Sequence, residues 1–158
     1  MLNFLRFRKT HKLQGDFLID SEIPETLEYI SSGNIIIGED FELTVERIKI
    51  THKGAIVKFT GYNSIDDVVK FRGKFASINY EIFPENHIIH KLHIADGSKI
   101  IYRSENYGIV DGVSFMSEIP FLIIKKEDGS EEVIEFNDLN IKIVDSSGKI
   151  LEMIENFN

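Results

Sequence analysis

"FELTVERIKITHKGAIVKFT", Phe41–Thr60, is the stretch that decides the fold. Its apolar residues alternate at Phe41, Leu43 and Val45, then at Ile48 and Ile50, so the phase slips by one at Glu46–Arg47. Alternation with a period of two marks a strand with one buried face. Such a strand changes phase only through a bulge or bend, and bulges curve a sheet toward closure. A second strand follows at Ala55–Thr60. The pair predicts a curved sheet.

The same texture extends both ways. Short apolar stretches separated by turn residues stand at Leu2–Arg8, Gly15–Asp20, Asn34–Ile37 and Lys74–Asn79. They resume at Ile88–Ile94, Lys99–Arg103, Tyr107–Met116, Phe121–Lys126, Glu131–Phe136, Ile141–Val144 and Ile150–Ile154. Many short strands at this density predict an all-β sandwich or barrel. Asp128–Gly129 predicts a hairpin with positive φ at both central positions, and Gly148 marks another turn. One segment reads as helix, around Ser64–Arg72. Ser64 can cap it, Asp66 and Asp67 favour its positive end, Ile65, Val68 and Val69 share a face, and Gly73 can end it. "YEIFPENH", Tyr80–His87, reads as a linker.

The chain has 158 residues, enough for one ordinary domain or two small ones. It contains 26 Ile and only 3 Ala, a composition that favours the pleated sheet. There is no Cys, which excludes disulfides and thiolate-held metals. No apolar run approaches the roughly 20 residues that span a bilayer. The opening residues lack the pattern of a secretory leader, and the expected compartment is the cytoplasm. Net charge is −8 and unevenly spread. Residues 1–84 hold 11 Lys+Arg against 12 Asp+Glu, and residues 85–158 hold 7 against 14. The acidic second half suits a basic partner, whereas Arg6, Arg8, Lys9 and Lys12 come with no acid among the first dozen residues.

Catalytic signatures are missing. There is no GxSxG, Walker A, HExxH or dinucleotide fingerprint. Acid pairs such as Glu131–Glu132 fall on turns and strand ends, where a solvated face explains them. His87, His90 and His93 are evenly spaced, yet a strand points His90 away from the other two, and a helix drifts by the third. Neither geometry brings three imidazoles within about 2.1 Å of one zinc. No metal, cofactor or catalytic residue is therefore expected. His11, in "KTHKLQGDFLI", either hydrogen-bonds its turn or belongs to a phosphate-facing loop with its basic neighbours.

Three stretches together resemble the ribosome maturation factor RimM family. "RKTHKLQGDFLI" resembles its opening, with His11, Gly15 and Asp16 in place and Lys12 where a glycine is usual. "ITHKGAIVKFTGYNSIDDVVKFRGKFASINYEIFPE" carries the His52, Val57, Phe59 and Gly61 pattern, the acidic helix, Arg72–Gly73 and the Pro84–Glu85 close. "GIVDGVSF", "FLIIKKEDGSEEVIEF" and "IKIVDSSGKILEM" resemble the second half, a barrel of the photosynthetic-reaction-centre (PRC) type. The likeness runs from about Phe4 to Met153. It departs at 87–94, where His87, Ile88 and Ile89 replace aromatics, Lys91 replaces an acid and Ile94 a glycine. The changes at Lys12 and Ile94 predict altered turns.

What the resemblance implies is an all-β chain of two small barrels. The translation-factor-like first would span residues 1–82, a linker 83–90, and the PRC-type barrel 91–158. It further implies a monomeric, non-enzymatic chaperone that binds a small-subunit head ribosomal protein. Such a factor assists assembly of the immature small subunit and processing of its rRNA. The residues expected to face rRNA are Arg6, Arg8, Lys9, His11, Lys12, Arg72 and Lys74. Those expected to dock the protein are His87, Ile88, Ile89 and His90 on a strand, with Asp111, Glu118 and Glu131 steering. On a strand Ile88 and Ile89 oppose each other, so one of them would be an exposed anchor. The alternatives are a PRC-type adaptor for a non-ribosomal basic protein, favoured by the lost aromatics, and a small hydrolase with an unrecognised site.

Overall fold

The structure is a computed structural model describing residues 2–154. The chain divides into two compact units, residues 1–85 and 86–158.

Six strands build the first unit: β1 Leu5–His11, β2 Asp16–Ser21, β3 Ile35–Gly38, β4 Glu42–Thr51, β5 Gly54–Phe59 and β6 Phe75–Ile78. They run β1-β2-β5-β4-β3-β6, and β6 returns to β1 through Leu5↔Ala76 and Arg6↔Phe75, giving a closed barrel. Alternation in β1 puts Leu5 and Phe7 inside and Arg6 and Arg8 outside. Phe7 is the hub of the core. Its ring centroid lies 5.3–5.8 Å from those of Phe17, Phe41, Phe59 and Phe71. Each such ring contact is worth about 0.5–1.5 kcal/mol beyond the area it buries.

The phase slip in Phe41–Ile50 is a register shift between Val45 and Arg47 in the β4–β5 ladder. Leu43 and Val45 point inward ahead of it. Were Glu46 an ordinary strand position and not an extra residue, strict alternation would carry Arg47 and Lys49 to that same side. With the shift, both remain exposed. A second shift, between Phe7 and Lys9 in the β1–β2 ladder, has no counterpart in the apolar pattern.

The predicted helix is real but tightens. α1 covers Ile65–Val68, and a 3₁₀ turn continues it through Val69–Phe71. Ser64 and Asp67 form a reciprocal capping box, and Gly73 at φ +80° follows the last turn. The Gly73 N–H donates to the Phe7 carbonyl at 2.8 Å, which ties the segment to β1. Lys58, on β5, is buried; its Nζ donates to the carbonyls of Phe59 (2.9 Å) and Tyr62 and to Asn63 Oδ1 (3.1 Å). That ammonium shapes the loop from residue 59 to 63. Gly15, at φ +86°, sits against the same loop, and a Cβ there would collide with the Tyr62 carbonyl.

The second unit holds α2 Ile88–Ala95 and strands β7 Lys99–Tyr102, β8 Glu105–Ser114, β9 Phe121–Lys125, β10 Glu131–Glu135, β11 Ile141–Asp145 and β12 Ile150–Met153. These form one six-stranded sheet in the order β10-β9-β8-β7-β12-β11, with β12–β7 the parallel pair. Its core includes Ile100, Val110, Leu122, Ile124, Ile141 and Leu151. Hydrogen bonds do not close this sheet into a ring among the described residues.

Two expectations are corrected here. Ile88–Ile94 is a helix and not a strand, because Ile89, Leu92 and Ala95 recur at the three-residue spacing of a helical face and all three are buried. The cap is His87, whose Nδ1 accepts from the Ile89 N–H at 3.1 Å. At the Asp128–Gly129 hairpin, only Gly129 has positive φ (+84°). Gly129 N–H donates to Lys126 O at 3.0 Å and Lys126 N–H to Ser130 O at 2.9 Å. This is the three-residue loop in which a turn is followed by one left-handed glycine.

Candidate functional site

Directly opposed residues of an antiparallel ladder share a face. In the first unit, Lys9↔Leu18, Leu18↔Ile56 and Ile56↔Lys49 form one row across β1, β2, β5 and β4. The row lies outside the barrel, since its neighbours Phe17 and Val57 are core. Lys9 and Lys49 therefore mark its two ends. The adjacent pair His11↔Asp16 shares that outer face, and Arg47 reaches Asp16 Oδ1 at 3.4 Å. His11, Lys12, Gln14, Asp16, Arg47 and Lys49 help to line a shallow depression of about 380 Å³. Lys9, Lys12, Arg47 and Lys49 give this outer face four exposed cations, set against Asp16 and against Glu46, which Arg47 also reaches at 3.5 Å. Arg47 and Lys49 escaped the sequence reading; their two-residue spacing just past the phase slip was the available signal.

The other basic residues fall elsewhere. Arg8 sits at the β1 irregularity, and its Nε pairs with Asp20 at 2.7 Å. Arg6 stacks over the Phe75 ring at 5.7 Å. Lys74 pairs with Asp40 at 3.3 Å and lies 5.7 Å from the Phe41 ring centroid. Arg72 is exposed beside Gly73. The seven expected residues thus split into an outer-face group of Lys9, His11 and Lys12 and a β1–β6 seam of Arg6, Arg72 and Lys74, with Arg8 tied to Asp20. Lys12 has φ +58°, the left-handed conformation a glycine would adopt. The turn therefore holds a side chain at a position whose backbone favours glycine.

In the second unit, α2 places Ile89 in the core at 1% exposure and leaves Ile88 and His90 half-buried. The opposed-isoleucine geometry expected of a strand is absent, and Ile94 is a helical position rather than a turn. Asp111 is exposed on β8 at a register shift between Val110 and Gly112. Glu118 is exposed in the loop before β9, and Glu131 is exposed on β10. Beside Glu131, the Tyr107 hydroxyl donates to Glu132, and Lys126 Nζ lies 3.0 Å from it. The Tyr107 hydrogen bond first, and then Lys126, hold the Glu132 carboxyl below its ordinary range. No group of three or more His, Asp or Glu poised to hold a metal occurs among the described residues.

The fold and these faces define a class, a tandem β protein whose polar residues are displayed on strand faces and hairpin loops. The family follows from comparison. Residues 6–82 match the RimM N-terminal domain, so this region is homologous to the RimM family. The chain is also similar to the ribosome maturation factor RimM of Geobacillus kaustophilus, at 24% identity over 155 residues, covering 90% of this chain and 86% of the relative. The RimM of Geobacillus thermodenitrificans is 23% identical over 152 residues with the same coverage. Among solved structures, a 16S ribosomal RNA processing protein RimM from Pseudomonas aeruginosa is similar with a TM-score of 0.44 and 14% identity, covering 98% of this chain and 97% of that one.

Proposed function

We propose that this chain is a ribosome maturation factor that assists assembly of the small-subunit head and processing of its rRNA without doing chemistry itself. The observation that carries the reading is the match of residues 6–82 to the RimM N-terminal domain, with similarity to two ribosome maturation factors along 90% of the chain. In this reading the outer face of Lys9, Lys12, Arg47 and Lys49 meets rRNA phosphates, and Arg6 and Arg72 are secondary contacts. The acidic second unit meets a basic protein of the head. A PRC-type adaptor for a non-ribosomal basic protein is the second reading. It is favoured by the burial of Ile89 on a helix at the place expected to dock the partner.

Cosedimentation with small subunits separates the two. The maturation factor should travel with immature small subunits, and an adaptor should not. Phosphate contacts release counterions, so each one lost lowers the salt slope of binding by roughly 0.7–0.9. A Lys9→Ala, Lys49→Ala double variant should therefore bind more weakly and lower the slope by about 1.4–1.8. An unchanged slope would move rRNA away from this face.

A further inference from the structure

β10 is the end strand of the second sheet, and its outer edge is unpaired among the described residues. Glu132 and Ile134 stand opposite Ile124 and Leu122 of β9. Lys126 N–H donates to Ser130 O, and Phe136 N–H donates to Pro120 O at 2.8 Å. Residues 130, 132, 134 and 136 therefore direct their backbone groups to β9, and those of Glu131, Val133 and Glu135 face outward. Asn140 Nδ2 takes one of these, the Glu135 carbonyl, at 3.0 Å. The N–H groups of Glu131, Val133 and Glu135 and the carbonyls of Glu131 and Val133 remain as a template for one more strand.

The side chains of the same residues say what that strand should be. On the outer face, Val133 is 57% exposed and continues through Ile123 and Phe121, with Ile109 51% exposed two strands away. Glu131 and Glu135 flank Val133. Lys125 lies opposite Glu131, yet residues 121–135 still carry five acids against two lysines. A second copy of β10 is a poor occupant. Antiparallel pairing about Val133 would set Glu131 against Glu135 twice, and parallel in-register pairing would set each glutamate on its twin. A cationic strand removes that repulsion.

We infer that the β10 edge accepts an extended segment of a basic partner by strand addition. The segment carries an apolar residue opposite Val133 and Lys or Arg two positions to either side. The inference holds whether or not the partner is ribosomal.

The test uses the full chain and a ten-residue peptide with the pattern lysine–threonine–valine–threonine–lysine at its centre. Titration should show binding that weakens with salt. Val133→Pro removes an outward N–H and should weaken it at least tenfold. Glu131→Lys with Glu135→Lys should do the same. Methylating alternate backbone nitrogens of the peptide leaves the protein untouched and should abolish binding, which covers the case in which Val133→Pro fails to fold. No binding by wild type, or equal binding by the methylated peptide, would overturn the inference. So would a wild-type dimer that Val133→Pro dissolves. Small-subunit cosedimentation of Glu131→Lys, Glu135→Lys bears on the ribosomal reading alone.

Discussion

Lys12 stands at φ +58°, where an L-residue bears a steric penalty of roughly 1–2 kcal/mol that glycine escapes. Glycine also makes the unfolded chain more flexible, which offsets about 0.4–1 kcal/mol of the gain. Lys12→Gly should therefore raise stability by about 0.5–1 kcal/mol in urea denaturation. If Lys12 is one of the cations facing rRNA, the same change should weaken subunit binding, so that the residue trades stability for charge. A change that destabilises would show that the turn depends on the lysine side chain. A turn at this point could be expected from the resemblance at His11, Gly15 and Asp16. That a lysine would hold it could not, because nothing in the local sequence distinguishes a tolerated strain from a remodelled loop.

At the scale of elements, the loop from residue 59 to 63 depends on Lys58. Its ammonium donates to three oxygens in a partly buried place, of which the Phe59 carbonyl also accepts from the Tyr62 N–H at 3.3 Å. Lys58→Met keeps the stem and removes the donors, and buried acceptors left unsatisfied cost about 1–3 kcal/mol. A loss of that size is expected in urea denaturation, with faster amide exchange at Tyr62 and Asn63. A variant as stable as wild type would mean that water or a loop shift replaces the ammonium easily. The sequence hid this role, since a lysine in an apolar strand reads as the outward position. α2 was hidden for another reason. Evenly spaced histidines drew attention to one periodicity, whereas Ile89, Leu92 and Ala95 carried the helical one. Most of the strands were legible because period-two alternation and turn residues agree with each other along the chain.

For the whole molecule, the uneven charge follows the division into units. Residues 1–85 hold 11 Lys+Arg and 13 Asp+Glu, and residues 86–158 hold 7 and 13. Each unit has its own sheet and buried core. Pro84, Glu85 and Asn86 between them are exposed. A glutamate-specific protease should cut after Glu85. The fragment beginning at Asn86 should keep a β-type circular dichroism spectrum and unfold cooperatively, with a smaller urea slope than the intact chain. A fragment without that spectrum would show that its core needs residues 1–85. Tandem β architecture was legible from strand density on either side of Pro84. The cationic outer face was only half legible, because register alone puts Lys49 on the same face as Lys9, and pairing across four strands is not written in any one stretch.

The extra residue in β4 also has an evolutionary consequence. Ahead of it, the odd-numbered side chains, Leu43 and Val45, face the core; beyond it the exposed basic pair is odd-numbered too. Parity, and with it the meaning of every later position in the strand, reverses at one point. Losing the extra residue, Glu46, would leave Val45, Arg47 and Ile48 in plain alternation against Phe59, Lys58 and Val57, so the bend would go while every side chain kept its face. A one-residue deletion at this locus should therefore be inherited singly, at the expense of the bend, whereas length changes elsewhere in β4 should come in twos or with a matching change in β5.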